Sequence, residues 1–294
     1  MIVNCSFTAK QSKAIKYLYD DTTSELLFGG GAGGGKSYLG CAWIIISCLR
    51  HKGIRCLIGR SKLDNLKKTT LNTFFEICSE WSLKAAEHYT FNASSNIITF
   101  FNGSEVLLKD LFHYPRDMNY DSLGSLELTY AFVDECNQIT QKAKAVLTSR
   151  LRYKLDENGL VPKLLMTCNP AKNWVYQEFY KPDKEGVLPP YRKFIQSLAT
   201  DNVNISRHYI EQLERIDNVS QQRLLYGNWE YDDNPAKMID YDNILALWNN
   251  QAERGQKYIT CDVARMGNDK SVIMLWDGLV VEEVKIIDKS DLQF

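Results

Sequence analysis

Between Phe28 and Ser37 the chain reads FGGGAGGGKS, and Gly30, Gly31, Ala32, Gly33, Gly34, Gly35, Lys36 and Ser37 fill the spacing G-x-x-x-x-G-K-[ST]. That spacing suits a polyphosphate. Glycines let the backbone curl until successive N–H groups point inward at a triphosphate, the lysine reaches its β and γ phosphates, and the hydroxyl after it is a ligand for Mg2+. Side chains at the glycine positions are expected to block the phosphates. A second group follows at Phe132-Val133-Asp134-Glu135, where an apolar run ends in two acids. Asp134 suits the Mg2+ beside a phosphate loop, and Glu135 suits a general base that orients and polarises the attacking water. Without the glycine loop the pair would read as a helix start; with it, the chemistry is hydrolysis of ATP.

Thr167-Cys168-Asn169-Pro170 closes another apolar run. Asn169 either contacts the γ-phosphate or its water and reports hydrolysis to the following segment, or forms an Asn-Pro turn. Phosphoryl transfer also calls for a guanidinium against the developing charge, often supplied in trans. Arg150, in Ser149-Arg150-Leu151-Arg152 after a stretch carrying Lys142 and Lys144, is the first candidate. A DNA-phosphate contact or a solvated helix end is the alternative. A further basic group, Arg50, His51, Lys52, Arg55, Arg60, Lys62, Lys67 and Lys68, could track a DNA backbone or lie on a solvated surface.

The elements that must hold these groups are legible as apolar runs. Glu25 to Phe28 reads as a strand into the loop and Tyr38 to Leu49 as a helix leaving it, which places the helix N-terminus on the anion. Helical periodicity runs from Thr8 to Tyr19. Buried strands are predicted at 54–59, 129–133 and 163–167, with amphipathic helix over 64–81 and a helical stretch over 138–151. Asn102-Gly103, between the runs 97–101 and 104–108, predicts an antiparallel hairpin. Beyond Pro170 the chain is loop-rich and aromatic, then polar and helical over 206–226. Three short strands are predicted at 257–261, 270–276 and 280–287. Strands alternating with helices argue for an α/β sheet.

The 294 residues exceed one average domain, and 45% hydrophobic content suffices for a buried core. A net charge of −1 gives no global field toward DNA or membrane, so a polyanion site must be a local patch. The longest apolar run, 41–49, is far short of a membrane span. With no signal-peptide plan at the N-terminus, the expectation is a soluble, cytoplasmic protein without a membrane partner. Eight cysteines, at positions 5, 41, 48, 56, 78, 136, 168 and 261, show no C-x-x-C spacing and read as reduced core thiols.

Taken together the motifs resemble the large terminase subunit of tailed bacteriophages. FTAKQ, GGGAGGGKS, YAFVDE, SRLR, TCNP, RLLYGNWE and YITCDVARMGNDKSVIMLW occur in the family's order and span essentially the whole chain. The resemblance implies an N-terminal ATPase that drives double-stranded viral DNA through a portal protein into an empty capsid. It also implies a homo-oligomeric ring, a small terminase subunit as partner, and a C-terminal RNase H-like nuclease with clustered acids and divalent metal. Gln11 would then be the adenine-reading glutamine, or otherwise a surface helix residue. Asp262 would be the first nuclease carboxylate and metal ligand, followed by Gly267, Asp269 and Lys270.

The fold expected is α/β: an ASCE-type P-loop ATPase with a mainly parallel sheet over 1–170, a connecting subdomain over 171–250, and the first strands of an RNase H-like domain over 251–294. The remaining nuclease carboxylates belong to later elements in this family. Asp269, Asp277, Glu282 and Glu283 read as solvent-facing charges in their place, so efficient cleavage is not expected. Ile259, Val272, Ile273, Leu275 and Ile286 would line a half-built, aggregation-prone edge. The competing readings are a helicase-like nucleic-acid-stimulated ATPase and a nucleotide-binding fragment without motor activity. ABC-type transport is disfavoured, since no LSGGQ-like signature lies between Ser37 and Asp134.

Overall fold

The apolar runs assemble into one eight-stranded sheet in the computed structural model, which describes residues 6–231, 252–264 and 270–287. In chain order come α1 (Ala9–Leu18), β1 (Glu25–Gly30), α2 (Lys36–Arg50), β2 (Arg55–Arg60), α3 (Leu63–Lys68) and α4 (Thr70–Glu80). Then follow β3 (Tyr89–Asn92), β4 (Ile97–Phe100), β5 (Glu105–Asp110), β6 (Tyr130–Val133), β7 (Lys163–Cys168) and β8 (Arg192–Ser197). The order across the sheet is β3-β4-β5-β2-β6-β7-β1-β8. From β5 to β8 every pair is parallel, while β3 and β4 extend the edge antiparallel. A parallel sheet brings the C-terminal ends of its strands to one edge, where ligand crevices open.

Strand alternation sorts the core into two faces. Leu26, Phe28, Tyr130, Phe132 and Leu165 pack with α1, α2 and α4 around Trp43 and Phe74. Leu27, Ala131, Val133, Leu164, Met166 and Cys168 pack on the other face with the helix Gln141–Thr148, Phe179 and Trp229. α2 lies so close over β6 that a Cβ on Gly40 would meet the Phe132 ring at 2.2 Å. The hairpin forms as predicted, with Gly103 at φ +81°.

Three predicted helices are broken. The stretch 64–81 splits at Thr69, whose φ of −128° and ψ of −75° are not helical. The stretch 138–151 is helical only over Gln141–Thr148, capped by the Thr140 hydroxyl accepting from Ala143 N–H. The stretch 206–226 divides into Arg207–Leu213, Asn218–Ser220 and a π-helical turn, Gln221–Leu225.

A boundary at residue 170 does not match the packing. The chain divides into two units, Met1–Pro235 and Ala236–Phe294. Residues 171–231 belong to the first because β8 hydrogen-bonds along the whole of β1. Their aromatic run supplies a stack of Tyr180 on Trp229, centroids 5.3 Å apart, with Phe194 edge-on to both. Lys144, in the helix before Arg150, is buried. It bonds Glu25 at 2.8 Å and Glu178 at 3.0 Å, and Arg192 binds the same two carboxylates at 2.7 Å each. This closed quartet fixes the start of β1 against the start of β8.

In the second unit β9 (Lys257–Asp262), β10 (Ser271–Asp277) and β11 (Val280–Ile287) form an antiparallel sheet with β10 in the middle. Ile259 and Ile286 are exposed. Among the described cysteines six are buried free thiols and Cys261 is an exposed one. No helix of the described residues is long and apolar enough to cross a membrane.

Candidate active site

Three strand ends build the site. β1 delivers the glycine loop, β6 delivers Asp134 and Glu135, and β7, which lies between them in the sheet, delivers Asn169. The loop wraps into α2, whose first residue is Lys36, so the first-turn amides of α2 face the same crevice. Gly33 through Ser37 line a cavity of about 480 Å³ together with Thr73, Glu135, Asn169, Asn202 and Asn204.

Ser37 and Asp134 meet there. The Ser37 hydroxyl donates to Asp134 Oδ2 at 3.1 Å and lies 3.3 Å from Oδ1. The same carboxylate accepts from Thr167 Oγ1 at 2.6 Å and from Thr70 Oγ1 at 2.7 Å, and is itself only 4% exposed. A buried carboxylate ringed by hydroxyls beside a loop serine is a set of hard oxygen donors, which is what Mg2+ selects. The residues present therefore fit the ion.

Lys36 Nζ donates to Asn169 Oδ1 at 2.9 Å and to the Gly31 carbonyl at 2.5 Å. Burial lowers the lysine below its ordinary pKa, and Glu135 and Asp134 oppose that shift. Glu135 sits at φ +53°, a left-handed backbone that non-glycine residues seldom adopt and that recurs at functional positions. Burial and then the Asp134 charge raise its carboxyl above the ordinary range, against the pull of Lys36, Arg60 and Arg223. A carboxylate raised in this way is a better proton acceptor.

The glycines answer to more than phosphates. A Cβ on Gly29 would meet Trp229 at 2.8 Å, one on Gly30 the Ser197 carbonyl at 2.1 Å, one on Gly31 the Leu224 carbonyl at 2.6 Å, and one on Gly33 Ile205 at 2.1 Å. Later chain thus encloses the loop. Asn202 Nδ2 donates to Gly33 O, Ser197 Oγ donates to Gly34 O, and Ala32 N–H donates to Leu224 O, all within 2.9 Å.

Gln11 reaches this loop, though as a buried residue. Its Nε2 donates to Gly35 O at 2.9 Å, while its Oε1 accepts from Thr8 N–H in a capping box at the start of α1. Beside it Phe7, Tyr38, Glu80 and Trp81 line a second cavity of about 430 Å³ that shares Gly35 and Tyr38 with the first. Arg150 is not brought to this crevice. It follows the helix Gln141–Thr148, its carbonyl bonds Leu128 N–H before the start of β6, and its guanidinium donates to Gly124 O and Ser149 Oγ. Thr70, Thr167 and Arg223 are the residues that sequence reasoning missed.

The family model for the phage terminase large subunit matches residues 23–251. The chain belongs to that family. No curated protein matches it. Among solved structures, the large terminase of a thermophilic bacteriophage aligns over 97% of this chain and 70% of its own, at 16% identity and a TM-score of 0.61. The terminase of bacteriophage HK97 aligns over 92% and 60%, at 13% identity and a TM-score of 0.55. The ATPase domain of the Thermus phage P74-26 terminase aligns over 76% of this chain and 94% of its own, at 14% identity and a TM-score of 0.52. The thermophilic phage terminase has also been solved with ADP and with ATP-γ-S. These likenesses establish the fold.

Asp262 ends β9 in the second unit, paired with Val272. Among the described residues no group of three or more His, Cys, Asp or Glu side chains is placed to hold a metal. Gly267 and Asp269 lie outside the described residues.

Proposed function

We propose that this terminase hydrolyses ATP to drive double-stranded viral DNA into a procapsid, with Lys36, Ser37, Asp134, Glu135 and Asn169 as its hydrolytic centre. One observation carries the proposal: Lys36, Ser37, Glu135 and Asn169 line a single crevice, and the buried Asp134 bonds Ser37 beside it. When bound, Mg2+ would supply charge neutralisation at the β and γ phosphates. Ser37 and Asp134 would hold it, with Thr70 and Thr167 orienting the carboxylate. Lys36 exchanges its contacts with Gly31 and Asn169 for the terminal phosphates. Glu135 orients the water and accepts its proton, and Asn169, released from Lys36, reports the change along the β7 end. The cavity of Phe7, Gln11, Tyr38 and Trp81 is the proposed adenine site, where aromatic faces supply the contact area and the second hydrogen of the Gln11 amide reads the base.

The DNA partner rests on a smaller basic group than the sequence offers. β2 separates Arg55 at its start from Arg60 at its end by roughly 16 Å. Arg55 is spent on Glu105 and Arg50 on the Tyr19 ring. Arg60 at the end of β2, which also donates to Thr69, and Lys62, Lys67 and Lys68 after it, of which Lys62 lies over the Phe112 ring, are the proposed phosphate contacts. Small terminase subunit, portal protein, ring assembly and a host-cytoplasmic setting are proposed from family membership. So is Asp262 as the first carboxylate of a nuclease site, without efficient cleavage by this chain; metal-dependent plasmid nicking abolished by Asp262→Ala would overturn that expectation.

The deciding experiment is the ATPase rate with and without double-stranded DNA and cognate portal, with Lys36→Ala as blank. Stimulation by both supports the motor. Strand unwinding without portal dependence would favour a helicase-like ATPase, and binding without turnover a nucleotide-binding protein.

A further inference from the structure

Arg223 belongs to the π-helical turn Gln221–Leu225, 53 residues beyond Pro170, yet its guanidinium reaches back to the strand end that carries Asn169. Its Nε donates to the Pro170 carbonyl at 2.8 Å, one residue past Asn169. The next residue, Leu224, gives its carbonyl to Ala32 N–H at 2.7 Å. Two consecutive residues therefore bridge the two strand ends between which Lys36 and Asn169 meet. π-helical turns recur at functional sites, because the wider turn re-aims side chains that an α-helix would place elsewhere. Here the turn closes with Tyr226 N–H on Gln221 O at 3.1 Å, and Trp229 anchors it behind Gly29.

We infer that Arg223 is the in-cis positioning arginine of the hydrolytic centre: it pins the Asn169–Pro170 turn over Lys36 and adds a third cation, after Lys36 and Arg60, to those around Glu135. Arg150 sits outside the crevice with its guanidinium engaged, so a cation from the same chain has to come from elsewhere. The charges facing Glu135 are Asp134, Lys36, Arg60 and Arg223, and Arg223 is the one delivered by chain beyond β8. A guanidinium suits the task, since Nε can hold a carbonyl while its two terminal nitrogens keep their donors for an anion. The consequence is that charge lost from the terminal phosphate is felt by the turn that also holds the glycine loop.

This inference rests on the ATPase reading, and the test separates the two. Wild type, Lys36→Ala, Arg223→Lys and Arg223→Ala are compared for kcat, KM for ATP, binding of a fluorescent ADP analogue, and thermal melting. Absence of turnover in wild type would overturn the ATPase reading itself. If wild type turns over, Arg223→Ala is expected to lose about 10-fold or more in kcat with KM little changed. Added guanidinium ion should restore part of that loss, which a packing defect would not permit. Unchanged kcat in Arg223→Ala, or a loss in kcat that guanidinium leaves untouched while ADP binding and melting stay normal, overturns the proposal. If Arg223→Ala does not fold, Arg223→Lys decides: it retains the charge but cannot span both contacts, and wild-type kcat in that variant also overturns the proposal.

Discussion

The Ser37 hydroxyl lies 3.1 Å from Asp134 Oδ2, so the end of the glycine loop touches a carboxylate carried by a strand two places away in the sheet. β7 fills the place between them. Thr167, near its end, and Asn169, just past it, then bond Asp134 on one side and Lys36 on the other, which makes the three strand ends one unit.

Glu135→Gln keeps the size and the left-handed backbone but removes the proton acceptor. ATP binding is expected to persist while kcat falls by about 100-fold or more. Equilibrium binding beside steady-state turnover measures both, and normal turnover in this variant would remove Glu135 from the chemistry.

Thr167→Val tests the hydroxyl ring around Asp134. Shape is retained and a 2.6 Å donor is lost, so the carboxylate is freer to turn away from Ser37. The Mg2+ concentration for half-maximal activity should rise about 10-fold, with a melting temperature near that of wild type. An unchanged Mg2+ titration would mean that Ser37 and Thr70 suffice.

Gly30→Ala should damage the fold before any nucleotide is added. Its φ is +146° and the new Cβ would lie 2.1 Å from the Ser197 carbonyl, inside a ladder that cannot shift without breaking β1–β8 pairing. A loss of about 2 kcal/mol or more is expected in denaturant melts, against about 1 kcal/mol for Gly103→Ala, where the space is open and only the turn geometry objects. Equal losses would show that enclosure contributes nothing.

Asp20 gives the stability a dependence on acid. Burial raises its pKa, but Thr23, through N–H and hydroxyl, and Lys163 outweigh that and hold it at about 2. The folded value is lower than the ordinary 3.8, so the stabilisation is complete above that pH and is lost as pH falls toward about 2. Asp20→Asn should therefore be less stable than wild type at pH 7, by on the order of 1 kcal/mol after discounting for its partly exposed carboxyl, with the gap closing as pH falls through about 2. A gap that stays constant across this range would exclude the ion pair as its source.

Residues whose role is local were legible in the sequence. The loop, the acid pair at the end of 129–133, Asn169 and the Asn102-Gly103 hairpin follow from short-range spacing and from apolar runs. β8 was not legible, because Arg192–Ser197 alternates weakly and only its edge position beside β1 makes it a strand. Thr70, Thr167 and Arg223 were hidden for a related reason. Each acts through a contact 33 or more residues away, and nothing in its immediate neighbourhood marks it. The acceptor of the Gln11 amide and the burial of Lys144 likewise depend on partners that periodicity does not name.

The enclosure of the glycine loop also sets an order of events during synthesis. Ser197, Asn202, Leu224 and Trp229 leave the ribosome long after Ser37, so the loop emerges as a bare ribbon with nothing to wrap it. Nascent chains stalled with Ser37 outside the exit tunnel but Trp229 still within it are expected to photo-crosslink ATP analogues weakly, and released full-length chains strongly. Equal labelling of both would mean the cup forms without its later walls.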